Sequence, residues 1–303
     1  MPNVYVIGAT IGRGGAYMAY HVGRIAARQF GFSLVNVDTG WKGKSLFTYD
    51  DAMETVSLPE MEAAIMDDDL LICNPSFSRY MFGLRLKGRK LMYAQGFTFN
   101  LDCRFDSYVA VSQVVARHLS AVYGIEAPVI PAFVDLDACQ EARNPAAKGP
   151  LFAVHVKEQA AEHGIISGHL RRKIRERCKN AEFFRLPADL PHKEFLKRMA
   201  GSRFLLNVCA AEGFGLVPLE AMAMGLVVVG LDGLGGQDFL RYGENSLAVP
   251  LSDIDRLPEA IEDVLSDDDY AASLSAQAIK DAEAYSLAAF ENAWAEQLRR
   301  FLG

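Results

Sequence analysis

The sequence lacks three features that define large classes of proteins. Its five cysteines are odd in number and scattered, with no CxxC pair, so we expect neither a disulfide framework nor a zinc site. The formal net charge is −7, which argues against an extended nucleic-acid-binding surface. No segment approaches the run of about 18 apolar residues that a membrane-spanning helix needs. Together these absences favour a soluble protein of the reducing cytoplasm.

Several enzyme signatures are missing as well. The six histidines form no HExxH pair of the zinc-peptidase type. The glycine-rich turn at residues 12–15 follows the first predicted strand, but it is not a full GxGxxG dinucleotide fingerprint. No carboxylate pair indicates a glycosidase. We therefore expect no metal and no dinucleotide cofactor.

What the sequence does contain is an alternation of short apolar runs with segments of helical period. This alternation is typical of βαβ units and parallel sheets. A chain of 303 residues, half of them apolar, is long enough for two domains. We predict an α/β fold of two Rossmann-like, doubly wound domains facing each other across a cleft. The predicted strands are 4–8, 33–37, 70–73, 90–94, 108–111, 129–131, 151–156, 181–185, 204–208, 227–230 and 246–249.

Breaker residues set the predicted domain boundaries. The segment 135–150 contains Asn144-Pro145 and Gly149-Pro150 and is predicted to be the linker. An N-terminal domain then covers residues 1–140, and a C-terminal domain covers residues 150–285. The remaining residues, 286–303, are predicted to contain a final helix with an apolar face.

The segment from Glu212 to Glu220 carries the chemistry. Two carboxylates bracket a glycine-rich turn that opens a short helix, in which Pro218 suits the first helical position. Val217, three residues before Glu220, has no side-chain oxygen to cap that helix. The first-turn N–H groups are thus available to an anion such as a diphosphate. If the eight steps from Glu212 to Glu220 were all helical, they would span roughly 12 Å. This distance suits two carboxylates that bind hydroxyl groups on either side of a phosphate. The segment therefore predicts a nucleotide-sugar site.

Residues 212–225, Glu-Gly-Phe-Gly-Leu-Val-Pro-Leu-Glu-Ala-Met-Ala-Met-Gly, resemble the E-x7-E signature of the family 4 retaining glycosyltransferases. That family lies among the group 1 glycosyl transferases. Residues 111–135 resemble the segment that closes the first domain in the family. A third similarity lies in residues 235–245, where family members have a glycine-rich turn followed by a "dGenG"-type loop.

The resemblance implies the GT-B fold, with the donor bound mainly by the C-terminal domain and the acceptor mainly by the N-terminal one. It also implies a final helix that returns towards the first domain. The implied reaction is transfer of a sugar from a nucleoside diphosphate to a glycan, a lipid-linked or a small-molecule acceptor, with retention at the anomeric carbon and without a metal. Carried over by position, Glu212 lies against the donor sugar as the catalytic residue, and Glu220 holds the ribose hydroxyls. The backbone N–H groups of Phe214, Gly215 and Leu216 face sugar hydroxyls or the diphosphate.

The sequence departs from the family where an Arg and, about five residues later, a Lys hold the diphosphate. Lys157 stands for the Arg and His163 for the Lys, with one inserted residue. A neutral histidine is a poor substitute for a fixed cation, although a neighbouring diphosphate raises its pKa. Two alternatives remain: Arg171 and Arg172 supply the cations if their helix points into the cleft, or Lys157 and His163 are solvated loop residues.

Three sets of residues in the N-terminal domain are further candidates. The resemblance favours contact of Gly14 and Gly15 with the donor phosphates, against the alternative of a merely tight turn. Gln95 follows a strand end and is a candidate contact to the sugar or the acceptor. Residues 79–90 carry five basic residues and no acidic one. They are a candidate contact to an anionic membrane at its inner face, or else a solvated loop.

Two other functions remain open at this point. A degenerate member of the same fold would bind a nucleotide sugar or a partner without turnover, and the altered cation pair favours it. A nucleotide-sugar epimerase shares the architecture, but we would not expect it to carry the Glu212–Glu220 pattern.

Overall fold

A computed structural model of the chain describes residues 1–43, 45–49, 53–144, 151–155, 161–177, 179–187 and 189–303, with only the backbone described for 161–164. The chain divides into two compact units. The first consists of Met1–Ala132 and Ala288–Gly303, and the second of Phe133–Leu287. Each is a parallel sheet with helices between its strands, so the predicted α/β class is confirmed.

The first unit is built on a six-stranded sheet in the order β3-β2-β1-β4-β5-β6, and every pair of neighbouring strands is parallel. Its strands are β1 (Asn3–Ile7), β2 (Ser33–Asp38), β3 (Glu54–Ser57), β4 (Leu70–Cys73), β5 (Arg89–Ala94) and β6 (Ser107–Ala110). Its first four helices are α1 (Gly14–Phe30), α2 (Leu58–Ala64), α3 (Phe82–Arg85) and α4 (Gln113–Tyr123).

The second unit contains a five-stranded parallel sheet in the order β11-β10-β9-β7-β8. Its strands are β7 (Leu151–His155), β8 (Glu182–Arg185), β9 (Phe204–Asn207), β10 (Val227–Leu231) and β11 (Leu247–Val249). Its helices are α5 (Leu136–Ala142), α6 (Ala161–Arg177), α7 (His192–Ala200), α8 (Leu216–Ala223), α9 (Leu257–Ser266) and α10 (Asp268–Ala282).

The last helix, α11 (Leu287–Leu302), lies within the first unit from Ala288 onward. Trp294 is fully buried, and its ring packs edge-on against Tyr93 of β5 at a centroid distance of 4.8 Å. Burial of a large aromatic side chain contributes a few kcal/mol (about 3–5 when it is truncated to alanine). The apolar face predicted for this helix therefore serves the core of the first unit.

Two predicted features differ from the structure. The predicted strand 129–131 is reduced to an isolated bridge between Ala110 and Val129, because flanking prolines at 128 and 131 cannot donate to a longer ladder. The predicted linker 135–150 begins with helix α5, which starts where the Asp135 carboxylate accepts the N–H of Ala138. Residues 145–150 lie outside the described part of the chain.

Gly230, near the end of β10, is a position where the fold requires glycine. Its φ is +124°, and an added Cβ would lie 2.0 Å from the carbonyl oxygen of Asn207 on β9. We expect Gly230→Ala to lower the free energy of unfolding by about 3 kcal/mol or more, from backbone strain and overpacking together. Urea unfolding followed by circular dichroism measures this.

Gly168→Ala is the matched control for that substitution. Gly168 is exposed in α6, and no atom of the described residues lies within 4 Å of its added Cβ. Alanine there should stabilise by about 0.5–1 kcal/mol. Equal effects of the two substitutions would contradict the steric explanation.

Candidate active site

The carboxyl edge of the second unit's sheet gathers the candidate residues. The chain passes from β7 to β8 on one side and then to β9 on the other, so its direction across the sheet reverses between β7 and β9. Ligands of open α/β sheets bind at such a switch point, outside the carboxyl ends of the strands. His155 and Asn207, which end β7 and β9, are register partners here.

Backbone hydrogen bonds hold the loop after β9 that carries Glu212. The N–H of Glu212 donates to the carbonyl of Gly233 at 2.7 Å, and the N–H of Gly235 donates to the carbonyl of Glu212 at 3.1 Å. The loop therefore lies on the turn that follows β10. A Cβ added to Gly215 would lie 3.7 Å from Glu212 Oε2, which places the carboxylate beside the start of helix α8.

Helix α8 begins without a side-chain cap among the described residues. Its N-cap is Gly215, whose φ of +104° favours glycine. Leu216 is thus the first helical residue, and the prediction that Pro218 holds this position is wrong by two residues. The left-handed Gly215 starts the helix earlier, and proline at the third position still lies within the turn whose N–H groups have no helical partner. These N–H groups lie at the N-terminal end of the helix, where the helix dipole stabilises a bound anion.

Phe214 anchors this loop through its ring. The side chain is buried and packs against Phe239 at 5.3 Å and Tyr285 at 5.8 Å between ring centroids. Because the ring occupies the core, a ligand would meet only the backbone of Phe214, which is the group named in the sequence-based prediction.

Glu220 is buried and contacts a histidine that the sequence did not single out. Only 6% of the residue is exposed, and its Oε1 lies 2.6 Å from Nε2 of His192, the first residue of α7. Burial lowers the pKa of His192, but the hydrogen bond that His192 donates to Glu220 and the negative charges of Glu220 and Asp135 outweigh it and raise the pKa above the usual value. The carboxylate of Glu220, which is predicted to bind the ribose, thus has a protonatable side chain, His192, in direct contact.

This pair predicts a pH-dependent stability. Because the folded-state pKa of His192 is raised above about 6.5, its stabilisation is present below that pH and is lost as the pH rises through the folded-state pKa. We expect the thermal unfolding midpoint of wild type to exceed that of His192→Gln most at about pH 6, and the difference to shrink towards about pH 9. A difference that does not change with pH would contradict this assignment.

A second cluster missed in the sequence lies at the ends of β7 and β9. His155 Nδ1 is 3.1 Å from Asn207 Oδ1 and 3.6 Å from Cys209 Sγ. One ligand atom from each of His155, Cys209 and Glu212 lies within 4.8 Å of the others. Strand pairing brings these residues together, so their spacing in sequence gives no signal of the cluster.

The predicted cation pair cannot be placed. Lys157 lies outside the described residues, and the side chain of His163 is likewise not described, although its backbone belongs to α6. The assignment of the two residues to the diphosphate stays a prediction.

The N-terminal candidates come together within the first unit. Gly14 is the first residue of α1, and the side-chain amide of Gln95, just after β5, donates from Nε2 to the carbonyl of Gly15 at 2.8 Å. Gln95 therefore supports the glycine-rich turn, a role that sequence reasoning did not assign to it.

The basic segment 79–90 makes contacts within the first unit. Arg85 pairs with Glu62 at 2.6 Å, and Lys90 lies 3.5 Å from the carboxylate of Asp106. Arg89 donates to the carbonyl oxygens of Phe301 and Leu302. These contacts account for three of its five basic side chains without a membrane. In the part of the chain that the structure describes, no helix combines the length and apolar character needed to cross a bilayer.

The geometry above lies within a part of the sequence that matches a known family. Residues 154–281 match the model described as glycosyl transferases group 1. These residues therefore have the sequence pattern of the group 1 glycosyl transferases. The resemblance of residues 212–225 to the group 1 glycosyl transferases is thereby confirmed, since they lie inside the match. Over 127 residues, 42% of the chain, the sequence is 29% identical to poly(glycerol-phosphate) alpha-glucosyltransferase of Bacillus subtilis. The matches span only about a fifth of the length of the curated relatives.

Solved structures of glycosyltransferases have the same fold. A glycosyltransferase from Rickettsia africae aligns with a TM-score of 0.73 at 12% identity, covering 99% of this chain and 98% of its own. Sucrose-phosphate synthase from Thermosynechococcus elongatus aligns with a TM-score of 0.70 at 15% identity, and the alignment covers 99% of both chains. At this level of identity the structural similarity shows the GT-B fold. It does not show the reaction, which has to be inferred from the residues of the site.

Proposed function

We propose that the protein is a retaining glycosyltransferase that moves a sugar from a nucleoside diphosphate to a glycan, a lipid-linked or a small-molecule acceptor. The observation that carries the proposal is the Glu212–Glu220 segment at the switch point of the second unit. There, two carboxylates bracket a helix start whose first-turn N–H groups no described side chain caps. The group 1 match over 154–281 supports the same reaction class.

Each part of the segment has a role in this proposal. The diphosphate binds at the start of α8, where the N–H groups of Gly215 and Leu216 donate to it. These preorganised donors stabilise the charge that develops on the leaving diphosphate. Glu212 lies against the donor sugar. Glu220 accepts hydrogen bonds from the ribose hydroxyls, which either displace His192 from the carboxylate or bind the carboxylate together with it.

The remaining roles belong to the same proposal. Lys157 and His163 neutralise the diphosphate. Gly14 and Gly15 contact the donor phosphates, and Gln95 contacts the sugar or the acceptor. We propose that transfer needs no metal, and that the protein works in the cytoplasm. The contacts of Arg85, Arg89 and Lys90 within the first unit leave membrane binding through 79–90 without structural support.

A thermal-shift screen of nucleoside diphosphates and nucleotide sugars tests the proposal. A ligand at 100 times its Kd should stabilise the protein by about 2.7 kcal/mol. The best ligand then enters a transfer assay with glycan and lipid-linked acceptors. Failure of every nucleotide to shift the melt would contradict the donor site. Tight binding without transfer or hydrolysis would instead favour a degenerate, non-catalytic member of the fold.

A further inference from the structure

The cluster of His155, Cys209 and Glu212 combines a nitrogen, a sulfur and an oxygen ligand. His155 ends β7, Cys209 lies two residues beyond β9, and Glu212 lies in the loop that follows. One ligand atom from each lies within 4.8 Å of the others. Cys209 is buried, while His155 and Glu212 are half-buried. Imidazole, thiolate and carboxylate are the three protein ligands of Zn²⁺.

The separation of His155 and Cys209 fits a small tetrahedral ion. With Zn–N of about 2.0–2.1 Å and Zn–S of about 2.3 Å, two ligands of a tetrahedral site lie roughly 3.5 Å apart. His155 Nδ1 and Cys209 Sγ are 3.6 Å apart. The pair therefore needs little movement to hold an ion between its two atoms.

Neighbouring groups contact the ring of His155 and the backbone of Glu212. Asn207 donates from Nδ2 to the carbonyl of Leu231 at 2.7 Å, which turns its Oδ1 towards Nδ1 of His155. The backbone of Glu212 is held by its hydrogen bonds to Gly233 and Gly235. The backbone bonds hold Glu212 near the other two residues, whereas an ion at Nδ1 must displace the contact of Asn207 Oδ1 with that nitrogen.

We propose that His155, Cys209 and Glu212 form a binding site for Zn²⁺ or a similar thiophilic divalent ion, with no fourth protein ligand among the described residues. In the metal-free protein the ring Nδ1–H donates to Asn207 Oδ1. When the ion takes Nδ1 as its ligand atom, the neutral ring carries its proton on Nε2 instead, so that only the thiol proton of Cys209 is released on binding.

The site shares Glu212 with the donor sugar, a consequence that rests on the proposed function. An ion at Glu212 would therefore exclude the sugar and act as an inhibitor of transfer. Metal binding itself depends only on the three ligands, so it can be tested without any nucleotide.

Titration of the metal-free protein with Co²⁺ tests the site through its absorption spectrum. Wild type should bind one equivalent and develop the intense thiolate-to-cobalt charge-transfer band. Cys209→Ser should lose this band, and His155→Gln should weaken Co²⁺ binding at least tenfold. Cys103→Ser, which removes an exposed cysteine elsewhere, is the matched control and should retain the band. Circular dichroism verifies that each variant is folded.

The outcomes separate this inference from the proposed function. A wild-type spectrum without the charge-transfer band, or a band that survives Cys209→Ser, would overturn the metal site while leaving the donor site intact. Zn²⁺ should also raise the apparent Kd of the best nucleotide sugar in wild type but not in Cys209→Ser. Stoichiometric Co²⁺ binding in a protein that binds no nucleotide would support the metal site and contradict the proposed transferase.

Discussion

Glu212→Gln is expected to lower kcat by about 10²–10³-fold, the size of loss seen when one preorganised charge-stabilising group is removed. Glutamine keeps the shape of the side chain and removes its charge. The backbone of Glu212 bonds to Gly233 and Gly235, and glutamine leaves both of these hydrogen bonds in place. Initial rates of sugar transfer at saturating donor measure the effect.

Glu259→Gln is the matched control for this change, because Glu259 is exposed in the first turn of α9. It should retain wild-type kcat. The thermal midpoint of Glu212→Gln should stay close to that of wild type, which separates a catalytic effect from unfolding. Wild-type kcat in a folded Glu212→Gln protein would remove Glu212 from the reaction.

Glu220→Gln should raise the donor Kd about 10- to 100-fold. The carboxylate is buried at the start of the second turn of α8, where it would accept two charge-assisted hydrogen bonds from ribose. Hydrogen bonds to a charged group contribute about 1.5–3 kcal/mol, and each 1.4 kcal/mol is about a factor of ten in Kd. Isothermal titration calorimetry with the nucleoside diphosphate measures the loss.

His192→Gln separates the carboxylate from its partner. This variant keeps Glu220 and removes the imidazole at 2.6 Å, so the donor Kd should stay within a few-fold of wild type. If His192→Gln and Glu220→Gln weaken binding equally, the pair rather than the carboxylate holds the nucleotide. Unchanged donor affinity in Glu220→Gln would contradict the ribose assignment.

The elements that sequence predicted well are those with local signals. Helix α4 begins at Gln113 after the Ser112 cap and ends at the left-handed Gly124, and both residues are visible as start and stop signals. Strand β4 is a fully buried apolar run. Strand β3 was not predicted, because Glu54–Ser57 is a largely exposed edge strand without an apolar run. Helix α5 did carry a local signal, because Asp135 is a typical N-cap residue. The Asn-Pro and Gly-Pro pairs that follow the helix led to the prediction of a linker instead.

The candidate site divides in the same way. Glu212, the glycine turn and Glu220 are contiguous in the chain, so their chemistry is readable from one segment. His155 and Cys209 meet only because β7 and β9 are neighbours in the sheet, and strand order is not written in local sequence. His192 reaches Glu220 from another helix, and a lone histidine after a proline gives no sign of that contact.

A crystal structure of the protein with its best-binding nucleoside diphosphate tests the central claim most directly. We predict the diphosphate within hydrogen-bonding distance of the N–H groups of Gly215 and Leu216, and the ribose hydroxyls on the carboxylate of Glu220. A nucleotide bound elsewhere, with the Glu212–Glu220 segment making no contact to it, would contradict the claim that this segment is the donor site.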